Sequence, residues 1–165
     1  MKTVDEILHN PLSYVKQVKL QTGKKVLAYM PMELPVELIH AAGLLQIPLI
    51  IKAEEFTASD TYLHTFACSL TRSVLQNFLT KKLEFVDAYT FMDTCDSIWS
   101  LYNVMKVTSP KVPLYLLHYP SKADPDAINF FKDEILRFKG FLEKVSGNSL
   151  NMEAIKESVQ KLSLI

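Results

Sequence analysis

The chain has 165 residues, 48% of them hydrophobic and 22% charged, with 18 basic side chains balanced by 18 acidic ones. Such a composition describes a globular domain large enough to fold around its own core without disulfides or metal. Zero formal charge argues against a basic nucleic-acid groove or a polybasic membrane surface, both of which depend on charge excess.

The first strand is predicted over Lys24 to Met32, after a helical segment at residues 1–22 and a turn at Gly23. Glu33 to about Leu45 reads as a helix, with Val36, Ile39 and Gly43 on one face, and Pro48 to Ala53 as a second, continuously apolar strand. Residues 41–51 form the longest apolar stretch, but Gln46 and Pro48 interrupt it and it is far shorter than a membrane span. Ser59 and Asp60 are plausible starters of a helix that carries Leu70, Val74 and Phe78 toward Lys81 and Lys82. Val86 to Met92 predicts a third strand. Asp93-Thr94 stands where an N-cap would precede a helix bearing Ile98, Leu101, Tyr102 and Met105. The fourth strand spans Val112 to Tyr119, and Ser121 to Pro125 leads into a long helix in which Ile128, Phe131, Ile135, Phe138, Leu142 and Val145 recur at helical spacing. Gly147 ends that helix, and Ser149 or Asn151 caps a short one bearing Ile155, Val159 and Leu162.

Strands alternating with helices predict an α/β fold with a four-stranded, mostly parallel, doubly wound sheet over residues 23–147 and a helical C-terminal extension at 148–165. Ligands of such sheets bind beyond the carboxyl ends of the strands. The glycines at 23, 43, 140 and 147 make neither a dinucleotide fingerprint nor a P-loop. Acids at Asp5 and Glu6 stand where a secretory leader carries positive charge, so a cytoplasmic protein is expected. There Cys68 and Cys95 are thiols or metal ligands rather than a disulfide.

Cys95, in Asp93-Thr94-Cys95-Asp96-Ser97, is expected near both a strand's carboxyl end and a helix's first turn; Cys68, in Ala67-Cys68-Ser69-Leu70-Thr71-Arg72-Ser73, near another helix start. Backbone amides at a helix N-terminus favour the thiolate, the form that iron–sulfur clusters bind. The competing reading makes both cysteines small buried apolar residues. His118 is the histidine best placed for chemistry, although for it, as for His9, His40 and His64, a hydrogen-bonded structural role is the expectation. Glu37, near the end of the first strand, reads equally as a catalytic carboxylate and as a solvated helix-start acid. Trp99 and Tyr102 are expected to pack.

Three strings taken together, Pro35-Val36-Glu37-Leu38-Ile39-His40-Ala41-Ala42-Gly43, Ala67-Cys68 with Arg72-Ser73, and Asp93-Thr94-Cys95-Asp96-Ser97 with Tyr102, resemble the 2-hydroxyacyl-CoA dehydratase (2-hydroxyglutaryl-CoA dehydratase D-component) and benzoyl-CoA reductase subunit family. The resemblance implies Rossmann-like three-layer domains and a [4Fe-4S] cluster held by three cysteines, of which Cys68 and Cys95 match the first two. It also implies a homologous partner subunit, an ATP-dependent activator iron–sulfur protein, and an acyl-CoA substrate that is dehydrated or reduced by radical chemistry. Glu37 falls in the family's glutamate-containing helix start. The sequence departs from the family pattern in three places. It has no cysteine after Cys95, so the third ligand must come from outside this chain, from the second domain toward which 148–165 leads. Ser69 replaces a common proline, and Met30-Pro31-Met32 lacks small polar residues. A cluster-free, stand-alone Rossmann-like binding or assembly module is the alternative.

Overall fold

A computed structural model describes residues 10–30 and 34–163. In chain order these residues form α1 (Pro11–Thr22), β1 (Val26–Tyr29), α2 (Val36–Ala41), β2 (Leu45–Pro48), one 3-10 turn (Ser59–Thr61), α3 (Ser69–Leu79), β3 (Ala88–Asp93), α4 (Asp96–Thr108), β4 (Leu114–His118), α5 (Pro125–Ser146) and α6 (Met152–Leu162). The strands lie in the order β2-β1-β3-β4, and every pairing is parallel.

Side chains alternate across these strands, so the sheet separates two cores. Val26, Ala28, Tyr89, Phe91 and Leu116 face α3 and α4, with Leu12 and Val15 of α1 packed against the same cluster. Leu27, Ala88 and Leu117 face α2, α5 and α6 through Leu38, Phe138, Leu142 and Ile155. The three-layer α/β expectation is met. Phe138 is fully buried, and its replacement by alanine would cost about 3–5 kcal/mol.

Local chemistry explains the helix limits. The Asn10, Asp124 and Asn151 side chains each accept a backbone N–H at the start of α1, α5 and α6, from Ser13, Ala127 and Ala154. Gly147, at φ 80°, ends α5 in the left-handed conformation with its N–H on the Glu143 carbonyl. The Lys19 ammonium fastens α1 to the amino end of the sheet, donating to the Phe85 carbonyl and to Asp87 Oδ2, each at 2.7 Å. Asp87 Oδ2 also accepts the Val26 N–H, at 2.7 Å.

Several boundaries differ from those predicted. The first strand is Val26–Tyr29, and its expected last residues, Pro31 and Met32, lie outside the described residues. The helix after it is short, because Gly43 stands outside it at φ 73°. That left-handed turn delivers the chain straight into β2, with Leu45 opposite Val26 and Pro48 opposite Tyr29. The second strand therefore precedes the segment Pro48 to Ala53 in which it is expected, and Pro48 closes it. Ser59 and Asp60 begin only a single 3-10 turn. Gln76 Oε1 holds that turn by accepting the Ala58 and Ser59 N–H groups, both at 2.9 Å, while Asp60 pairs with Arg72. Asp93 is the last residue of β3 rather than part of a cap, because it remains in register with His118.

Candidate functional site

In this strand order the chain leaves β1 and β3, two neighbours, toward opposite faces. The crevice beyond their carboxyl ends is where such sheets bind ligands. Cys95 lies two residues beyond the end of β3 and is the N-cap residue of α4, with extended backbone (φ −162°, ψ 161°). Its carbonyl accepts the N–H groups of Ile98 and Trp99, and its side chain makes no capping hydrogen bond. Cys68 is the N-cap residue of α3, and its side chain likewise makes no capping bond. The Cys68 carbonyl accepts the Arg72 N–H at 3.1 Å and the Thr71 hydroxyl at 2.9 Å, and its Sγ lies 3.3 Å from the same hydroxyl.

The Cys68 N–H points at Ser97 Oγ, 3.5 Å away, in the first turn of α4. That contact sets the two helix starts side by side, so two cysteines remote in sequence share one end of the fold. Both are free thiols and both are exposed. The reading of them as small buried core residues is therefore corrected: each helix packs on the sheet through later turns, which leaves its first residue at the rim.

Asp93 and His118 form a pair that residue spacing does not reveal. They close β3 and β4 opposite one another, and Asp93 Oδ2 lies 2.9 Å from His118 Nδ1. The Trp99 ring of α4 sits 6.0 Å from the imidazole, centroid to centroid. The register of the two strands is the signal that finds this pair. Beneath it, the buried Glu134 carboxylate of α5 accepts the His118 backbone N–H through Oε2 at 3.1 Å and the Arg137 Nε–H through Oε1 at 2.8 Å. Burial, reinforced by the Glu134 charge, pushes the neighbouring Tyr115 phenol up to about 12.

Glu37 reaches the same end of the sheet from the other layer. It lies in the first turn of α2, whose core contacts are with α5 and α6, whereas α3 and α4 cover the opposite face. Its carbonyl accepts the Ser158 hydroxyl at 2.7 Å, and His40 Nδ1 lies 2.9 Å from that hydroxyl. His40 is thus hydrogen-bonded structurally, as expected. His64 stacks on Phe66, with ring centroids 4.9 Å apart, and His9 lies outside the described residues. Tyr102 packs edge-on against Phe91, whereas Trp99 is 40% exposed and faces His118.

The donor set decides which inorganic group these residues can hold. Two exposed thiols stand at adjoining helix starts, and among the described residues no group of three or more His, Cys, Asp or Glu side chains is placed to hold a metal ion.

A parallel three-layer α/β domain with two exposed cysteines at adjoining helix starts, beyond the strand ends, is the class that fold and site define. The family described as "2-hydroxyglutaryl-CoA dehydratase, D-component" matches residues 31–163, and the chain belongs to it. It is 26% identical over 156 residues to the (R)-phenyllactyl-CoA dehydratase beta subunit of Clostridium sporogenes, covering 94% of this chain and 42% of that one. It is 29% identical over 141 residues to one of the subunits of benzoyl-CoA reductase from Thauera aromatica, covering 84% and 36%. Against the (R)-2-hydroxyglutaryl-CoA dehydratase beta subunit of Acidaminococcus fermentans the identity is 25% over 156 residues, with 92% and 40% covered. The chain thus spans about two-fifths of the length of the curated relatives it matches. Among the described residues no helix is long and apolar enough to cross a membrane.

Proposed function

We propose that this chain is the N-terminal domain of a cytoplasmic dehydratase or reductase subunit acting on an acyl-CoA, in which Cys68 and Cys95 supply two ligands of a [4Fe-4S] cluster. The observation that carries the reading is the pairing of the two helix starts through the Cys68 N–H and Ser97, which leaves both thiols exposed at the strand ends in a member of this family. The remaining ligand comes from outside these residues, from a second domain, so the isolated chain is inactive. A bound cluster would supply single electrons to the thioester, delivered by an ATP-dependent activator protein, and a homologous subunit would complete the enzyme.

The chain's own residues have narrower tasks. Cys68 and Cys95 ligate, and the Thr71 hydroxyl, which donates to the Cys68 carbonyl, holds the first turn of α3 beside the Cys68 sulfur. The Asp93 carboxylate fixes the orientation of the His118 ring at the rim. Glu37 is an active-site carboxylate approaching from the opposite layer.

Anaerobic iron–sulfur reconstitution tests the reading, performed on the chain alone and with the unmatched portion of a homologous beta subunit added in trans. A cluster chromophore and paramagnetic signal are expected in the mixture. If folded protein gives neither signal in either sample, the cluster reading fails and the cluster-free module takes its place.

A further inference from the structure

The amino end of the sheet holds a cavity of about 430 Å³, a volume within the range of small-molecule sites. It is bounded by Lys25 just before β1, Asp87 just before β3, Pro113 before β4, and Phe141, Lys144 and Val145 in the last turns of α5. The helix starts that carry Cys68 and Cys95 lie at the opposite end of the strands, so this cavity is separate from the site described above.

The lining has an apolar part and a cationic part. Val145 is buried and Phe141 half-buried, its ring centroid 5.2 Å from that of Tyr115, and Pro113 completes the apolar wall. The charged groups differ in how far the fold has used them. Asp87 Oδ2 accepts from both the Lys19 ammonium and the Val26 N–H at 2.7 Å, so its charge is answered internally. The Lys25 ammonium donates to the Val145 carbonyl at 2.7 Å, which engages one of its three N–H bonds and covers a carbonyl left over at the end of α5. Lys144 is exposed and has no ion pair or hydrogen bond among the described residues. The adjacent Glu143 carboxylate is taken up by Lys139 at 3.5 Å and by the Leu150 N–H at 2.8 Å instead.

We propose that this cavity binds a small carboxylic acid as its anion, with an aromatic or short alkyl body against Phe141, Pro113 and Val145 and the carboxylate on Lys144 and Lys25. Apolar contact provides the affinity, and charge sets the class. A neutral ligand gains the contact but leaves both ammonium groups to water. Phosphate sites are built from helix N-termini and guanidinium groups, and the residues that line this cavity supply neither. They stand instead at the carbonyl end of α5, where the helix dipole opposes a second negative charge. A carboxylate carries one charge, which Lys144 matches while Lys25 shields the Val145 carbonyl from it. Neither cysteine takes part, so the proposal is independent of the cluster reading.

Nuclear magnetic resonance titration of the full 15N-labelled chain tests it, with 3-phenylpropanoate, 3-phenylpropanamide, phenyl phosphate and acetate as separate probes. 3-Phenylpropanoate is expected to give saturable amide shifts at Lys25, Phe141, Lys144 and Val145 and none at Cys68 or Cys95. Its midpoint should fall in the low millimolar range, as suits a ligand of about eleven heavy atoms. The amide, which lacks the charge, and acetate, which lacks the apolar body, should each bind about fivefold more weakly or less well still. Lys144→Glu should weaken the acid about fivefold and leave the amide unchanged. Lys144→Gln, at the same exposed position, repeats the test should charge reversal disturb α5.

Shifts that do not saturate, that centre on Cys68 and Cys95, or that are equal for acid and amide overturn the proposal. Tighter binding of phenyl phosphate overturns the carboxylate assignment. Unchanged affinity for the acid in both Lys144 variants overturns the placement of its charge.

Discussion

The two ends of the sheet use similar side chains in opposite ways. At the amino end, Lys19, Asp87 and the Val26 N–H form one closed hydrogen-bonded knot, and the Lys25 ammonium donates to the Val145 carbonyl at 2.7 Å. At the carboxyl end, the Cys68 and Cys95 thiols are exposed and the Asp93–His118 pair is only partly covered. Charges at the first end hold helices onto strands, while polar groups at the second are held in place and left accessible. The contrast teaches that both ends are tied by polar contacts, but only the carboxyl end leaves two thiols exposed beside them.

The contrast breaks most sharply at the cysteines. Cys68→Ser and Cys95→Ser should each abolish the reconstituted cluster signal in the mixture, while chemical denaturation shifts by no more than about 0.5 kcal/mol, as for other surface substitutions. At the amino end the expectation reverses. Asp87→Ala removes the acceptor shared by Lys19 and Val26 and should cost about 1–2 kcal/mol in urea unfolding, a value reduced by the partial exposure of both charges. Thiol accessibility at Cys68 should not change.

Alkaline pH probes the layer beneath His118. Tyr115 ionises near 12 in the folded protein, above its ordinary value near 10, chiefly because it is buried. A raised phenol pKa means that the folded state holds its proton when the unfolded state has lost it. This contribution is complete below about pH 10 and disappears as pH rises from there toward about 12. Tyr115→Phe should flatten that part of the stability profile measured by thermal melts between about pH 9 and about 12. The smallest effect is expected at the rim: Asp93→Asn should alter the His118 ring resonances in NMR spectra and change stability by less than about 0.5 kcal/mol, because the pair is partly solvated.

Much of this arrangement can be read from the residues, and the misreadings have definite causes. The kind and order of the elements follow from alternation between apolar runs and helical spacing, and α5 is legible from its Asp124-Pro125 start to its Gly147 stop. The second strand is misplaced at Pro48 to Ala53 by sequence pattern because Leu49, Ile50 and Ile51 have a strand's hydrophobicity while Leu45–Pro48 have its register. Hydrophobicity is local, whereas register depends on where the Gly43 turn delivers the chain. The same distinction governs the site. Each cysteine's position at a helix start is local information, but the adjoining of the two starts and the Asp93–His118 pair are contacts between distant residues. Glu37 is legible as lying at the strand ends, and only the assignment of α2 to the opposite layer shows from which side it approaches.

Ser158 bears on the order in which this fold can form. Its hydroxyl joins the Glu37 carbonyl and the His40 ring, a closure spanning 121 residues of chain. A contact so distant in sequence carries a large loop-closure entropy and forms only after the intervening strands have aligned. A nascent chain that has already made β1 and α2 therefore holds Glu37 on a turn not yet latched, and the proposed carboxylate acquires its final position only when α6 docks.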